Sequence, residues 1–520
     1  MEKTSRRSMS PLSQIEPRLR TLLPADLYAA AWVNPSSDTL MKVFEHLRTL
    51  QRILYDYVPR QVTEAQIQPG EERHEWQEGT LMFTDLAGFT PLMEANATRG
   101  MEGARTLLST LTSYFSEILE VASKSGGNLL EFTGDAMLIQ FPPEQRRNDT
   151  AQAIRAGLRM QRAMAKFAKI ETGQGTFSLG MRVGIHTGRF FTADIGTPRR
   201  MEHVLLGTSV KRAKQAEGAG FQGRVNVTME AYERVKDLFR FDEGNPGHML
   251  VNDDLATSQL GEFDISSTGR RMASAVLFDR SVEALVTEVE HLVGVVEPLA
   301  AYIPDPILKV LIENAARREI PPDFVYPTVL FVNLNGLPES VDMAKTEDEP
   351  GIVSSFSHVF ALINAAVEAR GGVLKKVTYH LAGSDIMIFF GVPTAHTDDA
   401  LRAAEAALTI RDIITAIDPP VVAGKKVEVS CQLGLSRGPC FAAEIGEPRG
   451  RREFNVLGDT VNTAARLMGR AIGNRIMITE WVQEQVKDVY KCDNLGTMTL
   501  KGKEKRIPIF ALNRRPVVDK

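Results

Sequence analysis

Cysteine is scarce: the 520 residues include only Cys431, Cys440 and Cys492, all in the last fifth of the chain and none in a CxxC pair. That excludes a disulfide framework and fits a reducing compartment, and the three read as small core hydrophobes. An excess of one charge is also missing. Lys plus Arg total 61 against 65 Asp plus Glu, a formal net charge of −4, so no global basic field exists for nucleic acid or anionic lipid, and any anion site must be local. No run approaches the ~20 apolar residues of a membrane span. The basic start MEKTSRRSMSP leads into no uninterrupted apolar segment, since residues 21–33 contain Pro24 and Asp26; the expectation is a cytoplasmic protein without a transmembrane segment. There is no GxxxxGK[ST] loop, no HExxH and no basic, aromatic-rich stretch, which argues against P-loop, zinc-hydrolase and nucleic-acid-binding classes.

What is present is an ordinary globular composition, 43% hydrophobic and 24% charged, long enough for about three folding units. Laying one half over the other reveals a long-period repeat. TLMFTDLAGFT matches TVLFVNLNGLP, GGNLLEFTGDAMLIQF matches GGVLKKVTYHLAGSDIMIFFG, and IGTPRRMEHVLLGTSVKRAKQ matches IGEPRGRREFNVLGDTVNTAAR. The offset stays near 250 positions throughout, so two homologous domains are the simplest account.

Each copy reads as strand, helix, strand hairpin, helix, strand hairpin, helix. Leu107, Leu108, Leu111, Tyr114, Phe115, Ile118, Leu119 and Ala122 mark one helical face, and Phe356, Val359, Phe360, Ile363 and Val367 mark its counterpart. Gly126-Gly127 and Gly371-Gly372 supply the helix stops. Further helices are expected near residues 151–167 and 400–417, and strands at 81–83, 136–141, 181–185 and 386–390. The fold class is α/β, an α+β sandwich. Residues 1–75 form a mainly helical N-terminal segment, 76–280 the first domain, 281–322 a helical linker and 323–517 the second domain. The N-terminal segment and linker read as packing and connecting elements.

Asp85 ends an apolar strand and precedes Gly88, whose missing side chain lets backbone N–H groups approach an anion. Asp135 sits in a Thr-Gly-Asp turn between two strand-like runs. Two carboxylates at the ends of neighbouring strands suit hard divalent cations, the outline of a two-metal phosphoryl-transfer site. Either Asp alone is more often a turn or capping residue, but the repeat shifts that weighing. The second copy places Asn333 opposite Asp85 and Ser384 opposite Asp135, losing both charges. It has Lys376, Asn462 and Arg466 where the first has Glu131, Lys211 and Gln215. Each half lacks what the other supplies.

On FTDLAGFT and FTGDAMLIQF in the first half, and GGVLKK with LGDTVNTAARL in the second, residues 78–280 and 325–513 resemble class III nucleotidyl cyclase domains. The arrangement is most similar to the soluble, tandem-domain adenylyl cyclases. The resemblance implies a head-to-tail domain pair with ATP at the interface and conversion of ATP to cyclic AMP and pyrophosphate. A monomer suffices, because one chain carries both halves. Asp85 and Asp135, with the backbone of Leu86, would bind two Mg²⁺ or Mn²⁺ ions. Backbone N–H groups of residues 86–90, through Gly88, Phe89 and Thr90, would cradle the phosphates. Asn462 would orient the ribose and Arg466 stabilise charge on the α-phosphate; the two lie one helical turn apart. Arg199 in the turn TPRR and Lys501 in LKGK fall on phosphate-contacting positions. Lys376 and Asn455 fall on the positions that read the purine; the lysine favours ATP, while the Asn455 amide has groups for either base edge. A guanylate cyclase and a catalytically silent nucleotide-binding module are the alternatives. The pseudo-symmetric cleft is lined by Glu131, Lys211, Lys214, Gln215, Asn333 and Ser384. It corresponds to the place where soluble cyclases bind bicarbonate, so a small regulatory ligand is expected there. Glu131 would repel an anion unless Lys211 or Lys214 offsets it.

Overall fold

The computed structural model describes residues 12–65, 68–145, 147–261, 263, 279–379, 383–448, 450–499 and 506–514. In the N-terminal segment, helices Glu16–Leu22 and Ala25–Val33 precede the long helix α1 (Ser37–Tyr57), which Ser36 caps by accepting from the Thr39 N–H at 3.3 Å. Leu40, Val43, Phe44, Leu47, Leu50 and Leu54 recur at helical spacing on α1 and are all buried.

The first unit is built on β1 (Arg73–Ala87), helices α2 (Phe89–Ala97) and α3 (Gly100–Lys124), then β2 (Asn128–Thr133), β3 (Ala136–Phe141) and α4 (Asp149–Ala163). It continues through β4 (Gly180–Thr197), β5 (Arg200–Leu206), α5 (Thr208–Gly218), β6 (Val225–Thr228), β7 (Phe241–Glu243) and β8 (His248–Val251). The sheet order is β2-β3-β1-β4-β6-β8-β7, with β5 paired to the far end of β4. Two linker helices follow, α6 (Val282–Ala300) and α7 (Asp305–Glu313).

The second unit repeats the plan. It comprises β9 (Asp323–Val325), β10 (Thr328–Asn335), α8 (Glu349–Glu368), β11 (Val373–Tyr379), β12 (Ser384–Phe390), α9 (Asp399–Ala416), β13 (Ser430–Arg437), β14 (Cys440–Gly446), β15 (Arg452–Leu457), α10 (Asp459–Met468), β16 (Ile476–Thr479), β17 (Lys491–Thr499) and β18 (Arg506–Asn513). Its main sheet runs β11-β12-β10-β13-β16-β18-β17, and β9, β14 and β15 form a separate three-stranded sheet. The difference from the first unit has a local cause. β4 is continuous over 18 residues, whereas Gly438-Pro439 interrupts the equivalent run, because proline has no N–H for the ladder.

The two hairpin arms are exchanged. Phe190, Phe191, Ile195 and Leu206 of the β4–β5 arm share one core with Val353, Phe356 and Phe360 of α8. Reciprocally, Phe441, Ala443 and Ile445 of β14 share a core with Leu111, Phe115 and Ile118 of α3. This is a pseudo-twofold, head-to-tail pairing within one chain. It also explains the composition of α8, which is long and apolar enough to cross a membrane by length and composition: it is sandwiched between its own sheet and the partner arm, so much of its circumference is buried. The N-terminal helices, α6 and α7 form one further core against Val329, Phe331, Phe454 and Val456 of the second unit.

Candidate active site

Asp85 stands at the end of β1, directly opposite Arg182 on β4 in the antiparallel register. Arg182 donates to the Asp85 carboxylate at 2.6 Å and pairs with Glu217 at 2.8 Å. Asp135 lies in the tight turn joining β2 to β3, and β3 pairs with β1 up to Thr84–Met137, so the turn sits beside the Asp85 end. Burial, and then the charge of Asp85, push the Asp135 carboxyl up to about 8. A buried carboxyl raised in this way beside a second carboxylate marks a place for a cation. Among the described residues no cluster of three or more His, Cys, Asp or Glu forms a self-sufficient metal cage. The pair fits Mg²⁺ or Mn²⁺, which take one or two carboxylates and complete their shell with water and phosphate oxygens. Leu86 is buried in the β1–β4 ladder and offers only its backbone.

Gly88 follows with φ +90° and is the N-cap of α2. A Cβ there would collide with the Ser178 carbonyl oxygen, so the glycine is required by its own domain's packing as well as by the turn. Phe89 and Thr90 open α2, where no side chain caps the first N–H groups, which as a class lack intrahelical acceptors and suit an anion.

The second unit brings its groups to the same turn. Lys376 Nζ donates to the Phe132 carbonyl of β2 at 2.7 Å, and Asn455 Nδ2 donates to the Gly134 carbonyl at 3.2 Å. Both contacts cross the interface, on either side of Thr133 and immediately before Asp135. α10 begins at Gly458, whose missing Cβ site lies 3.3 Å from Met93 of α2, so the helix starts against the first unit. Asn462 is exposed on it. Arg466 sits one turn later with a buried Nη1 that makes no hydrogen bond; the nearest carboxylate, Asp459, is 3.9 Å away.

Two further assignments fare differently. Arg199 is exposed in the turn between β4 and β5, at the opposite end of β4 from Arg182; that span is roughly 50 Å of extended strand. The structure therefore does not bring Arg199 to the carboxylate pair, because the hairpin it tips is the arm that grips the second unit. Lys501 lies outside the described residues. The basic group actually beside Asp85 is Arg182, which the sequence reading missed. The signal was its position in MRVGIH, a strand whose register with β1 is invisible in one dimension.

In the pseudo-symmetric cleft, Glu131 and Lys214 are brought together, 3.7 Å apart and both almost fully buried. Lys214 also donates to the Tyr379 carbonyl and lies over the Phe83 ring; burial lowers its pKa against the opposing pull of Glu131 and Asp385. Asn333 donates to Asp385 at 2.7 Å, and the buried Ser384 hydroxyl has no hydrogen-bond partner. Lys211 is half-buried and Gln215 exposed on the same helix, α5. Asp385 and Asp342, which accepts from Thr208 at 2.8 Å, were not anticipated.

Comparison with known proteins adds a family and relatives. The domain described as the Adenylate and Guanylate cyclase catalytic domain matches residues 71–260 and again 326–514. Adenylate cyclase type 10 of Mus musculus is 24% identical over 417 residues, which cover 75% of this chain and 24% of that protein. Adenylate cyclase 1 of Rhizobium meliloti (strain 1021) is 27% identical over 191 residues, 36% of this chain and 28% of that protein. The chain thus spans about a quarter of the length of these curated relatives. The crystal structure of a class III adenylyl cyclase-like ATP-binding protein from Pseudomonas aeruginosa superposes with a TM-score of 0.52 at 12% identity, covering 86% of this chain and 94% of that one. That likeness is one of fold, and it extends over both units.

Proposed function

The chain belongs to the family of adenylate and guanylate cyclase catalytic domains, and from that premise we propose that it converts ATP to 3′,5′-cyclic AMP and pyrophosphate at one composite site. The observation that carries the reading is the meeting of Lys376 and Asn455 from one unit with the Asp135 turn of the other. On this reading the carboxylate pair and the start of α2 from one unit, and Lys376, Asn455 and the α10 residues Asn462 and Arg466 from the other, would serve one site.

Asp85 and Asp135, with the Leu86 carbonyl, would hold two Mg²⁺ or Mn²⁺ ions, which when bound supply the Lewis acidity that eases loss of the ribose 3′-OH proton. The protein's own groups do the rest. N–H groups of residues 88–90 would donate to the terminal phosphates, and Arg182, beside Asp85, would add positive charge near them. Asn462 fixes the ribose. Arg466 stabilises the charge that develops on the α-phosphate, an interaction strongest in the transition state. Lys376 is a donor only, which suits the acceptor N1 of adenine, while the Asn455 amide carries a donor and an acceptor and serves either base edge; the lysine is what supports ATP over GTP. The second cleft carries Asn333 and Ser384 in place of the two carboxylates and is read as regulatory. Its Glu131–Lys214 pair already supplies the anion and cation that a small charged ligand would have to displace.

The test is cyclic nucleotide formation by purified protein with Mg²⁺ or Mn²⁺, offering ATP and GTP separately, alongside Asp85→Ala and Arg466→Ala. Cyclic AMP from the wild type and from neither variant supports the composite site; no product under any condition favours a silent nucleotide-binding module, and cyclic GMP alone reverses the base assignment.

A further inference from the structure

Glu453 lies on β15 with its side chain 8% exposed, and three cations converge on it. Lys375 approaches to 2.9 Å, Lys376 to 3.0 Å and Arg451 to 3.5 Å. In a regular strand Lys375 and Lys376 would point to opposite faces of the sheet. The β11–β12 register slips between Leu374 and Lys376, and this bulge lets both ammonium groups reach one carboxylate. Burial alone would raise the Glu453 carboxyl, but Lys375, Lys376 and Arg451 hold it well below the usual carboxylate range.

The first unit shows which part of this cluster is common framework. Arg200 and Glu202 repeat the Arg-x-Glu of Arg451 and Glu453, 2.7 Å apart, and β2 slips at the matching place, between Leu129 and Glu131. There, however, Leu130 and Glu131 stand where the second unit has Lys375 and Lys376. The two lysines stand on this shared frame only in the half that faces the Asp135 turn. Arg451 in turn donates to the Tyr57 carbonyl and, at 3.2 Å, to the Asp56 carbonyl at the end of α1, so the cluster is anchored outside the cyclase fold.

We propose that Glu453 is a positioning residue for nucleotide selection, holding the Lys376 ammonium so that only one of its N–H groups is left to contact the purine. The inference rests on the reading of Lys376 as a base-contacting group. An ammonium has three donors: one goes to Glu453 and one to the Phe132 carbonyl. The third is thereby fixed in direction, and a fixed donor discriminates base edges where a rotating one does not. Lys375 pairs with Glu453 at 2.9 Å and balances its charge.

The experiment compares wild type, Glu453→Gln, Lys376→Met and the double variant Lys375→Met/Glu453→Gln. It measures Kd for 3′-deoxy-ATP and 3′-deoxy-GTP with Mn²⁺, steady-state kcat and KM for ATP and GTP, and thermal midpoints. Glu453→Gln should weaken ATP-analogue binding about tenfold and erode the ATP over GTP preference by a similar factor, the scale of one charge-assisted hydrogen bond, with kcat changed far less. The double variant removes one cation with the anion, so its thermal midpoint should return toward wild type while the binding defect stays. Recovery of both affinity and preference in the double variant would make the role of Glu453 purely structural and overturn the proposal. Weakened binding in Lys376→Met with Glu453→Gln unchanged also overturns it while leaving the functional reading intact. Failure of the wild type to bind either nucleotide overturns both.

Discussion

At the scale of single residues, the site is organised by charges that are incompletely satisfied within the protein. Arg466 keeps a buried nitrogen without a hydrogen bond, and the Asp459 carboxylate is 3.9 Å away, which is compatible with the role proposed for it at the α-phosphate. Arg466→Ala should therefore lower kcat by about 10²- to 10³-fold and move KM for ATP by no more than about threefold; a change confined to KM would remove the transition-state role. Asp135 gives a pH prediction. Its carboxyl is raised to about 8, by burial first and Asp85 second, so between the unfolded value near 4 and about 8 the folded protein holds a proton that the unfolded chain has released. Stability of the metal-free protein should fall as pH rises through that window and level off above it. Asp135→Asn should flatten the decline, raising the metal-free thermal midpoint at pH 8 by a few degrees, roughly 2–4 °C per kcal/mol, while abolishing turnover. Millimolar Mn²⁺ with a non-cyclisable ATP analogue should narrow the gap between the two proteins, because it stabilises only the wild type. A wild-type midpoint that does not vary with pH would remove the carboxylate repulsion from the argument.

At the scale of elements, the turn between β1 and α2 and the bulge in β11 set the site's geometry. Gly88 combines φ +90° with contact against the Ser178 carbonyl. A left-handed conformation costs a non-glycine residue roughly 1–2 kcal/mol, and the collision adds to it, so Gly88→Ala should lower the thermal midpoint. It should also reduce turnover by at least about tenfold through displacement of the α2 N-terminus; an active, equally stable variant would show that the turn tolerates a side chain. These elements also divide what the sequence discloses from what it conceals. The helical faces of α3 and α8, and the paired strand ends bearing Asp85 and Asp135, follow from apolar periodicity and from the repeat. The two-copy α/β architecture does as well. Arg182 and Glu453 do not, because their importance lies in strand register and in a one-residue slip, and neither leaves a mark in MRVGIH or GGVLKK. Arg199 shows the converse hazard: a turn that aligns with a motif is carried away by the length of the strand preceding it.

For the whole molecule, the exchange of arms decides how many sites exist. The β4–β5 arm is buried in the core of the second unit and the β14–β15 arm in the core of the first, so the interface is continuous with both hydrophobic cores. Separating the units would expose Phe190, Phe191, Phe356 and Phe441, which are fully buried, at a cost of about 1.5–3 kcal/mol for each such side chain. In the structure the pairing is made within one chain, and on the proposed reading each chain then carries one site with both carboxylates and one with neither. This bears on complementation between variants inactivated in different halves. A mixture of Asp85→Ala and Arg466→Ala proteins should stay as inactive as either alone, even at high concentration and after long incubation. In each chain the surviving half faces a defective partner, and arm exchange with another molecule requires opening two cores. Co-refolding the two variants from denaturant lets arms pair between chains, so any recovery should appear only after that treatment and should rise with protein concentration. Activity on simple mixing would instead show that the units pair between molecules in the native state, and the site would then belong to a dimer.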